Sequence, residues 1–316
     1  MKKIFHYLIQ FYKEHPKKKF LLALLVFNAI CIFLNYYLKF ESNYINNPDI
    51  YQGWHFIHYF IFYGFAWFGT FFLYYLFYPE KKFIYSKPFW AISLIMLVIF
   101  SIYVNFDFFY RFYVYEKIHY DLQYFLLKCL NNTVKPILIL PIIFIYWKLF
   151  DQKHNPSFYG LMPQQKQDLR LYLWMFLVMI PLVIGASFTE DFLKQYPRYL
   201  PDYSEAEEYL GWKDWQTSLI FELCYGIDFI FIELFFRGFI IFAMVRYVGS
   251  SVIFAMATVY VFIHFEKPVG ETIGSFFGGL ILGVLSYKTD SIWGGIAIHL
   301  GIAWLMEIAA WSHRIL

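Results

Sequence analysis

Seven ionisable side chains fall inside stretches that otherwise suit a lipid interior: Glu222, Asp228, Glu233, Arg237, His264, His299 and Glu307. Such a group costs about 2.5–3.5 kcal/mol at bilayer depth on insertion scales, so it is normally paired or functional. Glu233 and Arg237 are four residues apart and share one helix face, with the acid first, which is the favourable order. They could form a structural ion pair that hides both charges from lipid. Asp228 lies one turn before Ile232 on that residue's face and is either a second functional carboxylate or part of a wet cavity wall. His264 ends an apolar run, whereas His299 lies well inside one. Two imidazoles and a carboxylate from three helices could bind a metal such as zinc. They could equally activate a water without metal, with Glu as base and His as oxyanion donor. The spacing does not fit His-Glu-x-x-His, which sets both histidines on one helix.

The elements that position these groups must be membrane helices. Of 316 residues, 60% are hydrophobic and 16% charged, against roughly 45–50% and about 25% in soluble domains. That is enough for roughly nine spans of ~20 residues. Three cysteines (Cys31, Cys129, Cys224) are too few for a disulfide scaffold or a four-cysteine zinc site. A net charge of +3 is too small and scattered for nucleic acid to be a partner. Apolar runs place spans near 20–40, 54–78, 89–106, 133–150, 169–188, 217–245, 249–264, 271–287 and 291–311. The expected fold is therefore an all-α polytopic integral membrane bundle of eight or nine transmembrane helices. Lys128, Lys135, Pro136 and Pro141 crowd the start of the fourth span, so residues 119–133 could lie on the surface. His55, His58 and Lys135 sit at span edges and can reach the interface.

Charge orients the bundle. With the N-terminus cytoplasmic, inner segments hold 15 Lys and Arg and outer segments hold 8. Excess positive charge belongs inside, so an N-cytoplasmic orientation is expected. The N-terminal apolar run is too long for a signal peptide and lacks a small-residue cleavage site. Residues 189–216 carry seven acids and read as an outer loop with a short amphipathic helix on the membrane surface. Residues 1–165 form an N-terminal transmembrane extension with few polar groups at depth, and residues 166–316 form the core that carries the chemistry.

Gly270, Gly274 and Gly278, with Gly279 and Gly283 after them, let a helix backbone approach its neighbours closely. Four sub-motifs then stand in order. They are Glu233-Leu-Phe-Phe-Arg237-Gly238, then Tyr260-x-x-x-His264, then Phe277-Gly-Gly-Leu-Ile-Leu-Gly283, and finally Thr289-Asp-Ser-Ile-Trp-Gly-Gly-Ile-Ala-Ile-His299. Over roughly 215–311 this order resembles the CPBP family of intramembrane proteases. Those proteins are related to the CAAX-processing Ras-converting endopeptidase and to bacteriocin-immunity Abi proteins. The family pattern is Glu-Glu-x-x-x-Arg, Phe-x-x-x-His and His-x-x-x-Asn, with the first Glu activating water. Here Ile232 stands for the first Glu, Tyr260 for the Phe and Ala303 for the Asn.

The resemblance implies an intramembrane endopeptidase, a hydrolase acting on a membrane-associated protein or peptide, in a bacterial cytoplasmic membrane. Glu233 would then activate water, Arg237 would hold Glu233, and His264 and His299 would bind a metal or the oxyanion. Asp228 or Glu307 would restore the missing polarity, since Glu307 is one turn beyond Ala303. The alternative is a catalytically inactive member kept as a membrane scaffold or binding protein. A proton-coupled transporter is a third class, but no repeated half supports it. On straight helices His264 and His299 differ in depth by roughly 10 Å, so a shared site needs tilted helices or a wet cavity.

Overall fold

The structure is a computed structural model that describes residues 2–47, 52–163, 168 and 170–315. The expected boundary at 165/166 lies outside the described residues, as do Asp49 and Lys166. Among the described residues the chain is helical without strands. The helices are α1 (Lys2–Glu14), α2 (Lys18–Leu38), α3 (Gln52–Phe77), α4 (Lys87–Val104), α5 (Asp107–Lys117), α6 (Tyr120–Tyr146) and α7 (Arg170–Ala186). Then come α8 (Glu190–Gln195), α9 (Ala206–Leu210), α10 (Asp214–Glu233), α11 (Ile241–Val248), α12 (Val252–Phe262), α13 (Val269–Thr289) and α14 (Trp293–Ile315).

Among the described residues, six stretches are long and apolar enough to cross a membrane: Lys18–Leu38, Gly53–Phe77, Lys87–Lys117, Tyr120–Asp151, Val269–Thr289 and Trp293–Arg314. The other three expected spans are also helical, and each falls short for its own reason. α7 has 17 residues. The α10–α11 run carries Asp214, Glu222, Asp228, Glu233 and Arg237. α12 has 11 residues, and every one is buried. Exposed faces of α2, α3, α6 and α7 present Leu22, Phe33, Ile61, Phe72, Ile137 and Leu182. Apolar surface spread over so many helices suits a lipid solvent and would be a liability in water.

The main core joins both halves of the chain. Phe20, Trp67, Phe89 and Phe100 pack in one apolar cluster with Phe235, Phe236, Phe239 and all but Thr258 of α12. The one polar tip on Trp67 is met by Ser93 Oγ, 2.9 Å away, as a buried indole requires. α12 stands at the centre, flanked by α3, α11 and α13. Between α10 and α11, residues Leu234–Ile240 wind as a wider π-helical segment and are all buried. Such segments are rare and occur often at functional sites.

Three sequence expectations change here. The fourth span begins at Tyr120, so residues 120–133 are part of α6 instead of a surface stretch. Lys135 is buried, its ammonium 5.5 Å over the Tyr103 ring, so it does not reach the interface. Residues 189–216 do not form a helix lying free on a surface. Phe192, Tyr196 and Tyr199 are buried, and the segment is bonded to α6, α10, α13 and α14.

The opposite end is closed by α1. Glu14 meets Lys288 Nζ at 2.8 Å and accepts from Ser250, which also meets His15 Nε2 at 2.9 Å. Burial pushes the His15 imidazole down to about 4, partly offset by Glu14. Burial alone would raise the Glu14 carboxyl, but Lys288 and Ser250 overcome it and hold it below its usual value. Both docked groups thus release protons more readily than when detached. Their contribution is complete above about pH 6.5 and is lost as pH falls toward the docked values. Amide exchange in residues 2–14, corrected for intrinsic rate, should therefore speed up between pH 7 and 4.5. Equal protection at both values would show that these contacts do not hold α1.

Candidate functional site

The site is built where α10, α12 and α14 meet. The Glu233 and Arg237 side chains have no exposed surface. Arg237 Nη1 stands 3.0 Å from Glu233 Oε1, and its guanidinium carbon lies 4.0 Å over the Tyr260 ring. An arginine suits this place because its planar cation can pair with a carboxylate and stack on an aromatic face together. The same Glu233 Oε1 lies 2.9 Å from His299 Nδ1. A carboxylate only accepts, so Nδ1 carries the proton and Nε2 keeps its lone pair. The Tyr260 hydroxyl lies beside the ring, 3.0 Å from that Nε2 and 3.5 Å from Nδ1, off the line of the Nε2 lone pair. The His299 ring is further fixed by Phe229, edge-on at 4.5 Å between centroids. Its side chain keeps 17% exposure, while Glu233 behind it has none.

His264 belongs to the next layer. Its Nδ1 donates to the Tyr260 carbonyl at 2.7 Å, one turn back, and its ring lies 4.5 Å from the Tyr260 ring. Tyr260 thus stands between the two histidines, with its ring centroid 6.0 Å from that of His299. This tyrosine links the two histidines. His264 Nε2 faces Glu271, 4.0 Å away, which is bonded to Lys267 Nζ at 2.7 Å and to the Tyr196 hydroxyl at 3.1 Å.

Asp228 and Glu307 do not join this group. Asp228 accepts from the Tyr103 hydroxyl of α4. Glu307 takes the backbone N–H of Arg198 at 2.9 and 3.1 Å, anchoring the segment before α9. Neither supplies the polarity expected of it at Ile232 or Ala303. Ala303 is buried among Phe125, Phe221 and Tyr225, and Ile232 packs at the edge of the main core.

A metal was one option for His264 and His299. Among the described residues, no three His, Cys, Asp or Glu side chains form a group that could hold one. His299 Nδ1 is engaged by Glu233 and His264 Nδ1 by the Tyr260 carbonyl, so each imidazole keeps only Nε2. This donor set does not fit a zinc site, which needs at least three protein ligands.

Glycine makes the carboxylate's position feasible. A Cβ at Gly295 would come within 2.3 Å of Glu233 Oε2. Arg237 and His299 hold the other oxygen, Oε1, so moving the carboxylate away would disturb both contacts. Gly295→Ala should lower stability by about 1–3 kcal/mol, the usual cost of forcing extra volume into a packed interior. Thermal unfolding in detergent checks this, and an unchanged midpoint would mean the carboxylate is not clamped. The five glycines expected to allow close helix approach divide into two groups. Nothing lies within 4 Å of a Cβ at Gly270, Gly274 or Gly278. The close approaches are at Gly279, against Tyr260 and Ala257, and at Gly283, against Met256 and Ile253.

The sequence reading missed the Tyr260 hydroxyl and Gly295. The signal available for Tyr260 was its polar atom at a position where the family pattern carries Phe. Comparison with known proteins agrees with the motif resemblance. Residues 214–305 match the family model of type II CAAX prenyl endopeptidase Rce1-like proteins. No curated protein and no solved structure matches the chain. The C-terminal part of this membrane protein is thus CAAX-protease-like.

Proposed function

We propose that this protein is an intramembrane endopeptidase in which His299, held by Glu233, is the general base. The observation that carries the reading is the 2.9 Å contact between Glu233 Oε1 and His299 Nδ1, closed from behind by Arg237. A carboxylate on Nδ1 fixes the tautomer that leaves Nε2 basic and stabilises the imidazolium formed when it takes a proton. Glu233 is wholly enclosed and already neutralised by Arg237. The base role expected of Glu233 therefore moves to His299, and Glu233 becomes a positioning residue. His264 acts through Tyr260, whose backbone it holds. Substrates would be membrane-associated proteins or peptides. The test is cleavage of two fluorescence-quenched peptides by purified protein in detergent, one ending in an S-farnesylated CAAX sequence and one unprenylated. Cleavage of either supports the reading, and cleavage of neither at micromolar enzyme counts against it.

A second reading is a non-catalytic binding protein on the same scaffold. Ile232 and Ala303 favour it, since Ile cannot accept a proton and the Ala side chain cannot donate a hydrogen bond. It expects no cleavage by the natural chain and gain of cleavage in the double variant Ile232→Glu/Ala303→Asn.

A further inference from the structure

We propose that the Tyr260 hydroxyl is the oxyanion donor of this site, standing in for the side-chain amide that Ala303 cannot supply. The inference rests on the hydrolytic reading above. It starts from the three groups that fix Tyr260. Arg237 lies 4.0 Å over its ring, Phe236 meets that ring edge-on at 5.3 Å, and its carbonyl is tied to His264 Nδ1 at 2.7 Å. A ring packed by two neighbours on a tied backbone has its hydroxyl placed in advance, as transition-state stabilisation requires. The residue is 4% exposed.

At rest the phenolic oxygen sits beside the imidazole, 3.0 Å from His299 Nε2 and 3.5 Å from Nδ1, off the line of the Nε2 lone pair, which can therefore take a water. Catalysis would change that in one step. The water oxygen forms a bond to the scissile carbonyl carbon, and the π pair moves to the carbonyl oxygen. The water proton goes to Nε2. The Tyr260 O–H turns about its C–O bond toward the oxygen that has just gained charge. In collapse, the C=O bond re-forms, the C–N bond breaks, and the Nε2 proton passes to the leaving amine. Tyr260 keeps its proton throughout. A hydrogen bond to substrate that strengthens as this charge develops lowers the barrier more than it tightens substrate binding.

A phenylalanine here would fill the same space without the donor. The motif resemblance pairs Phe at this position with Asn at the position of Ala303. This chain has the reverse combination, a hydroxyl at 260 and no donor at 303. Ala303 lies one turn after His299 on the same helix face, so an amide at that position would neighbour the imidazole.

The experiment uses Tyr260→Phe in the full chain with the quenched peptide that the natural protein cleaves. Removing one oxyanion donor should lower kcat about 10²–10³-fold and leave KM within about twofold. Inhibition by a peptide aldehyde, whose hydrate presents a tetrahedral oxygen, should weaken at least about tenfold, and inhibition by the matching peptide alcohol should not. Ala303→Asn added to Tyr260→Phe should restore kcat at least about tenfold, which a merely structural hydroxyl would not predict. Should Tyr260→Phe unfold early in a thermal scan, this rescue at lower temperature carries the test. Cleavage by the natural protein with unchanged kcat in Tyr260→Phe overturns the proposal and leaves hydrolysis standing. Absence of cleavage by the natural protein overturns the hydrolytic reading and this proposal with it.

Discussion

Arg237→Met should destabilise the protein by about 3–5 kcal/mol, the cost of leaving a buried charge without its partner. The Glu233 carboxylate has no exposed surface, and its Oε1 depends on Nη1 at 3.0 Å and His299 Nδ1 at 2.9 Å. With the guanidinium gone, the carboxylate must stay charged in an apolar interior or take up a proton and give up its hold on His299. Methionine fills a similar volume, so the loss reports charge more than cavity. Glu233→Gln/Arg237→Met should recover at least about half of the loss, because no unpaired charge then remains. Arg237→Lys should not behave as a conservative change, since an ammonium cannot both pair with Glu233 and lie flat on the Tyr260 ring. The measurement is equilibrium unfolding in mixed micelles, monitored by far-UV circular dichroism. A double variant no more stable than Arg237→Met alone would mean that Arg237 contributes packing and not pairing.

That ion pair was legible in the sequence because charge at bilayer depth is expensive and Glu233 and Arg237 share a helix face. Other features were hidden for physical reasons. Tyr260 differs from Phe by one oxygen, and an aromatic-for-aromatic exchange in an apolar helix reads as core until its neighbour is known. A period of four at Gly270, Gly274 and Gly278 reveals a small-residue face, but not which way it turns. The helix rotates so that Gly279 and Gly283 meet α12 instead. The seven acids of residues 189–216 announced water. They outweighed Phe192, Tyr196 and Tyr199, which fasten the segment to the bundle. Lys135 looked interfacial because an ammonium at depth needs compensation, and that comes from helices distant in sequence: the Tyr103 ring of α4 and the charge of Asp228 on α10. Spacing reports what lies along a helix. Contacts between helices had to be seen.

His299→Gln should have the largest effect on function, lowering kcat/KM on the quenched peptides by about 10³-fold or more. A positioned general base contributes roughly 10²–10⁴, and glutamine keeps a donor for Glu233 while removing the basic nitrogen. Stability should change far less than in Arg237→Met, since Glu233 retains its counter-ion and one hydrogen bond. Glu233→Gln should also be severe. It leaves Arg237 without its anion and lets Nδ1 meet a neutral amide, so the imidazole loses its fixed tautomer, as an Asp-to-Asn change does in catalytic triads. His264→Gln should be mild, about tenfold or less, because His264 touches Tyr260 and not His299. This ranking separates the mechanism from the one in which Glu233 activates water and both histidines serve the oxyanion. There, His264 and His299 would fall together. A His264→Gln loss equal to that of His299→Gln would reject the order of roles assigned here, and full activity in His299→Gln would reject His299 as the base.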